Sequence, residues 1–270
     1  MSSPQPRPDR AVLPRRDRIA IACGLAGVTL LAWTYLVLMA VRMDGMQSMT
    51  DTGSAAAILQ IRAWSGTDWL LMFLMWAVMM VGMMLPTAAP MTLVYAAVAR
   101  KAAREGSPLA PTAVFVAGYV AMWTLFSLAA TAAQWWLDQR ALLSPIWVTT
   151  SPSLGAGILI AAGVYQLTPY KNACLEHCRS PAHFIASHWR PGASGAFRLG
   201  LEHGAYCLGC CWVLMLLLFA GGVMNLLWIA GIALFVLLEK RMPHGVLGGR
   251  AAGLGLMAVG AAALVAERIG

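Results

Sequence analysis

Charge is scarce in this 270-residue chain: only 11% of residues are Asp, Glu, Lys or Arg, while 60% are hydrophobic. A soluble domain carries about 25% charged residues and needs polar side chains to clothe its surface, so a water-soluble globule is excluded. Acidic residues are the scarcest, 11 against 19 basic ones. No buried carboxylate pair, Ser/His/Asp order or glycine-rich phosphate loop can be picked out, and a hydrolase or glycosidase reading has no footing. The phosphate-cradling pattern G-x-x-x-x-G-K-S/T is also missing. One membrane crossing takes about 20 apolar residues, so six to eight crossings use up the length and leave no separate nucleotide-binding domain. Both absences speak against an ATP-driven pump. No internal repeat stands out, which counts against the inverted-repeat transporters. Collagenous, disordered and disulfide-scaffold classes fall to the composition.

What is present is a series of long apolar runs, near Ile19–Val41, Asp68–Tyr95, Thr112–Leu137, Ser153–Gln166, His203–Gly221, Met224–Leu238 and Ala251–Ala266. They predict an all-α polytopic membrane protein of seven transmembrane helices, or six if one short run does not cross. Residues 1–18 are rich in Pro and Arg without apolar periodicity, and are expected to be a disordered basic cytoplasmic tail; 19–270 form a single transmembrane domain. The first run is too long for a signal-peptide core and lacks a clear small-x-small cleavage site, so it is expected to stay as the first helix. The step from the fifth run to the sixth, at Gly221 and Gly222, requires a very tight turn.

The net charge of +8 is ordered along the chain. With the N terminus inside, the cytoplasmic segments hold Arg7, Arg10, Arg15, Arg16, Arg18, Arg100, Lys101, Arg104, Lys171, Arg179, Arg190, Arg198, Lys240, Arg241 and Arg250. Only Arg42, Arg62, Arg140 and Arg268 lie outside. This is the asymmetry of the positive-inside rule, and it accounts for the basic balance without a nucleic-acid partner. Trp64, Trp69, Trp135, Trp136 and Trp147 fall where an interfacial aromatic belt is expected. Gly249 and Gly253 give a small-x-x-x-small packing signal in the last helix.

Two constellations carry chemistry. In the second run, Met72, Met75, Met79 and Met83 share one helical stripe, with Met80 and Met84 beside it and Met91 beyond. Methionine fills cores adaptably, but thioethers are also soft ligands that suit Cu(I) and poorly suit zinc, calcium or magnesium. Pro86 and Pro90 free the carbonyls of Gly82 and Pro86, so this helix is expected to kink or break. The second constellation is Cys174 and Cys178 with His177, then His203, Cys207, Cys210 and Cys211, the last four on one broad helical face. A cytosolic setting keeps thiols reduced, which disfavours structural disulfides and leaves ligands for Cu(I) or Zn(II). Lone Cys23 reads as a packing thiol. His183, His188 and His244 read as solvated or snorkelling side chains, Glu202 and Glu239 as ordinary carboxylates at inner helix ends. Glu202 is adjacent to His203 and could orient it as a ligand.

The stretches MWAVMMVGMMLPTAAPM (Met75 to Met91), YQLTPYKNACLEHCRSP (Tyr165 to Pro181) and GLEHGAYCLGCCWVLMLLLFAGGVMNLLWIAGIALFVLLEK (Gly200 to Lys240) together resemble bacterial DUF2182 proteins. That family consists of predicted metal-binding integral membrane proteins, some labelled copper chaperones. The matched positions are Met79, Met80, Met83, Met84, Pro86, Pro90, Met91, Cys174, Cys178, His203, Cys207, Cys210 and Cys211. The combined expectation is a multi-pass inner-membrane protein, not obviously an enzyme, that handles Cu(I), with zinc as the other metal. Met79, Met80, Met83 and Met84 would relay the ion, and Cys174, Cys178, His203, Cys207, Cys210 and Cys211 would hold it. Its partners would be the bilayer and a membrane metalloprotein or metallochaperone. Rival readings are a membrane thiol-disulfide oxidoreductase, which leaves the methionines unexplained, and a haem-binding or structural subunit of a membrane complex.

Overall fold

The computed structural model describes residues 13–50, 64–108, 110–143, 149–242 and 245–269. Most of the expected basic tail, Arg62, Trp147 and His244 lie outside them. The described chain is helical: α1 (Arg15–Thr50), α2 (Gly66–Arg104), α3 (Thr112–Gln139), α4 (Pro152–Leu167), α5 (Pro169–Arg179), α6 (Pro181–His188), α7 (Gly192–Gly221), α8 (Leu226–Arg241) and α9 (Gly245–Ile269). Each expected apolar run falls on one of these helices, the sixth starting two residues before α8. Five of them, α1, α2, α3, α7 and α9, are long and apolar enough to cross a membrane. α4 and α8 have 16 residues each, roughly 24 Å at about 1.5 Å per residue, short of a hydrocarbon core of about 30 Å.

Local chemistry explains the starts. Ser65 caps α2 and exchanges bonds with Asp68 in a capping box. Pro152, Pro169 and Pro181 each stand in the first turn of a helix, where the missing N–H costs nothing. Gly222, at φ +98°, makes the tight turn from α7 towards α8 that the sequence requires.

Of the kink or break expected in α2, there is no break: one helix runs through both prolines. The carbonyl of Gly82, which Pro86 leaves without its helical donor, accepts from Trp33 Nε1 of α1 at 3.2 Å. A partner from another helix thus supplies the bond that the proline removes. A correction concerns the polar stretch between the fourth and fifth runs, read as cytoplasmic loop around Cys174, Cys178, His183 and His188. It forms α5, α6 and the first turns of α7.

α2 and α7 make the centre and α1 and α9 the flanks: 50% and 56% of their most apolar stretches are buried, against 11% and 17%. Leu30, Leu31, Val41, Leu247 and Leu254 are correspondingly exposed on α1 and α9. Apolar surface on this scale requires apolar surroundings. α3 crosses α7 with backbones nearly touching. A Cβ on Gly118 would strike the Phe197 carbonyl, and one on Gly200 that of Phe115. α9 packs on α4 the same way through Gly253 against Gly163, while Gly249 meets Glu239 of α8 and Lys171 of α5.

The two ends of the bundle differ. At one, Trp64 meets Trp69 edge-to-face and Trp69 meets Trp135 at a tilt, each at 5.7 Å, and Trp64 Nε1 donates to Asp138 at 2.8 Å. At the other, Arg100 of α2 pairs with Asp17 of α1, and Arg179 of α5 reaches the end of α8. Arg100 and Arg179, both counted as cytoplasmic, lie at this second end.

Candidate metal centre

The site is built on the fourth to sixth turns of α7. His203, Cys207 and Cys211 follow one another every four residues, with Cys210 alongside, and all four side chains are buried. Cys207 is the hub. Its sulfur receives Lys240 Nζ of α8 at 2.8 Å and lies 3.0 Å from the Tyr119 hydroxyl of α3. Cys210 and Cys211 lie with it in one buried cluster, and Cys178 packs against that cluster. Cys210 and Cys211 also donate to its backbone carbonyl, at 3.0 and 2.9 Å.

α5 brings in Cys174 and Cys178. Cys174 rests its sulfur against Gly209, where a Cβ would stand 2.7 Å from it. Partial burial, with Cys210 beside it, pushes the Cys174 thiol above its ordinary range. Cys23 is apart from the group and exposed on α1, not packed in the core as expected.

His203 is held among the rings of Tyr119, Phe184 and Phe115, with centroids at 5.5, 5.7 and 6.1 Å, and its Nδ1 has no hydrogen-bond partner. A buried imidazole nitrogen without a partner is an exception that asks for an explanation, and an absent ligand is one. Glu202 does not orient it: that carboxylate takes Arg190 at 2.7 Å and Arg198 at 3.2 Å. His177 stacks on Tyr206 at 4.1 Å, at the rim of the group. His188 stacks on Phe184, and His183 is exposed.

Met79, Met80, Met83 and Met84 are all buried, in the same apolar core as Cys207, Cys210 and Cys211. The stripe and the cysteines meet at Tyr119, whose hydroxyl donates to the Met84 carbonyl at 3.0 Å while facing Cys207. The Thr87 hydroxyl ties the same point together, donating to the Met84 carbonyl at 2.8 Å and receiving Lys240 at 3.3 Å.

Sequence reasoning missed the charges. Lys171, Glu239 and Lys240 were expected at the solvated inner boundary, yet all three are buried. Lys171 forms an ion pair with Glu239, so that carboxylate is not an ordinary exposed one. A signal existed for Lys171, which is spaced i, i+3, i+4 and i+7 from Cys174, Leu175 and Cys178 on one face of α5. Nothing in the spacing marks Lys240 or Tyr119 as neighbours of Cys207.

The donors suit a soft ion in kind: thiols, thioethers and imidazole are what copper selects. Among the described residues, no group of three or more His, Cys, Asp and Glu is arranged ready to hold an ion. As placed, the Cys210 and Cys211 thiols donate to the Cys207 carbonyl, so a metal would have to turn them from those bonds and displace their protons.

The model of the PpoB2 copper chaperone family matches residues 73–263, well over half the chain. The chain belongs to that family. The PpoB2 match takes in Met79, Met80, Met83 and Met84 and every cysteine except Cys23. No curated protein and no solved structure matches the chain.

Proposed function

We propose that this PpoB2-family protein is a seven-crossing protein of the bacterial inner membrane, with its N terminus in the cytoplasm, that binds Cu(I) and passes it to a membrane metalloprotein or metallochaperone. In this reading 1–18 are a cytoplasmic tail and 19–270 one transmembrane domain, with α4 and α8 as the two short crossings. Cys178, Cys207, Cys210 and Cys211 take the ion, with His203 one turn above and Cys174 beside them. Met79, Met80, Met83 and Met84 relay it along α2. The observation that carries the reading is the gathering of Cys178, Cys210 and Cys211 about Cys207, in one apolar core with the thioethers. Buried thiols alone would serve zinc as well; the thioethers favour copper.

Protein purified under reducing conditions is expected to retain copper, and to prefer Cu(I) over Zn(II) in competition. A clear preference for zinc overturns the assignment. A reporter fused after Arg104 or Arg190 is expected to read cytoplasmic and one after Arg140 periplasmic. A periplasmic signal at Arg190 would put the thiols on the oxidising side and revive the thiol-disulfide oxidoreductase reading.

A further inference from the structure

α5 has little apolar surface with which to hold itself on the bundle. Its inward face is Lys171, Cys174, Leu175 and Cys178, and Leu175 is the one large apolar side chain there. The attachment is polar instead. Lys171 pairs with Glu239, at 1% and 4% exposure, and Arg179 Nη2 donates to the Met242 carbonyl at 2.6 Å. Both contacts land at the C-terminal end of α8. The neighbouring residues Glu239 and Lys240 divide between two helices: Glu239 holds α5, while Lys240 reaches Cys207 of α7. Gly249 of α9 closes over the pair, and a Cβ there would stand 3.2 Å from Lys171 Nζ.

A buried ion pair is a poor adhesive, because well-packed apolar residues usually hold as well or better. What it supplies is register, since the charges are satisfied at one placement of α5 and left unpaired at others. That placement also packs Cys178 against the buried cluster that holds Cys207 and Cys210. We propose that Lys171 and Glu239 are positioning residues, an internal latch that fixes α5 so that Cys178 completes the sulfur group on α7. The proposal rests on the reading of that group as the copper site.

The test uses the full-length purified protein and four variants: Lys171→Met, Glu239→Gln, the charge swap Lys171→Glu/Glu239→Lys, and the apolar pair Lys171→Met/Glu239→Leu. Copper-free protein is treated with a small maleimide and the modified cysteine is located by mass spectrometry. Cu(I) affinity is then measured by competition with a chelator. Each single variant is expected to raise Cys178 modification several-fold and to lower Cu(I) affinity by about tenfold or more, as loss of an outer partner of a metal site does. The swap is expected to recover both. The apolar pair should unfold no more readily than wild type yet keep the weakened affinity, an outcome that a merely structural role does not produce. If the single variants fail to fold, the swap and the apolar pair decide, because neither leaves a lone buried charge. Wild-type Cys178 reactivity in the folded single variants or in the apolar pair, or wild-type Cu(I) affinity in the apolar pair, overturns the latch. If wild-type protein binds no Cu(I), the functional reading fails, and the maleimide arm still decides whether α5 is latched.

Discussion

The thiols of α5 and α7 and the thioethers of α2 are both buried sulfur, but they are arranged in opposite ways. The thiols come from two helices and converge in one cluster around Cys207, whose sulfur meets an ammonium and a phenol. The thioethers come from one helix and are strung along it, with no polar partner to Met79, Met80, Met83 or Met84 side chains among the described contacts. Convergence suits holding an ion, whereas a string suits passing one along. α5, which carries two of the thiols, is half-exposed, whereas the stripe lies inside the bundle. Tyr119 joins the two.

The largest effect that the contrast predicts is at its hub. Cys207→Ser exchanges a soft donor for a hard one of similar size, and Cu(I) affinity should fall by about tenfold or more with cooperative unfolding retained. Isothermal or chelator competition reads this directly, and wild-type copper content in a folded Cys207→Ser protein would leave the cluster as packing. Adding Cys178→Ser should cost less than the sum of the two single changes, because ligands of one ion are not independent.

The stripe should respond differently. Changing Met79, Met80, Met83 and Met84 together to Leu conserves volume, so thermal stability should drop by less than about 1.5 kcal/mol per site. The preference for Cu(I) over Zn(II) and the rate of transfer to an acceptor should fall, while the stoichiometry holds. Metal competition and stopped-flow transfer separate these quantities. An unchanged rate and preference would reduce the stripe to core filling.

A smaller effect is expected at the junction. Tyr119→Phe removes the hydroxyl shared by the Met84 carbonyl and Cys207, a loss of about 0.5–1.5 kcal/mol in unfolding free energy. It should slow transfer more than it weakens binding. Smallest of all is Cys23→Ser: that thiol is exposed on α1 away from the cluster, and neither copper affinity nor unfolding should move.

Much of this architecture is legible in the sequence, for reasons that the same residues make plain. Apolar runs of adequate length mark the helices, and prolines in the first turns mark three starts. His203, Cys207, Cys210 and Cys211 share a helical face because spacing alone places them there. What is not legible depends on contacts between distant positions. Pro86 announces a break that does not occur, since the compensating donor is Trp33, 49 residues away. Lys171 and Lys240 count towards the cytoplasmic side, but a tally of charges says nothing of burial, and their partners Glu239 and Cys207 are 68 and 33 residues distant. Glu202 beside His203 suggested an orienting carboxylate, and Arg190 and Arg198 hold it instead. The polar stretch carrying Cys174 and Cys178 becomes a helix through its Thr168 cap, with Leu175 and Lys171 as its docked side chains.

The central claim is that sulfur converging at Cys207 is where copper is held. X-ray absorption at the copper edge, on reduced protein loaded with Cu(I), tests it most directly. The account predicts an inner shell made of sulfur that loses one sulfur scatterer in Cys207→Ser. A shell of nitrogen and oxygen, or a sulfur shell untouched by that substitution, would contradict it.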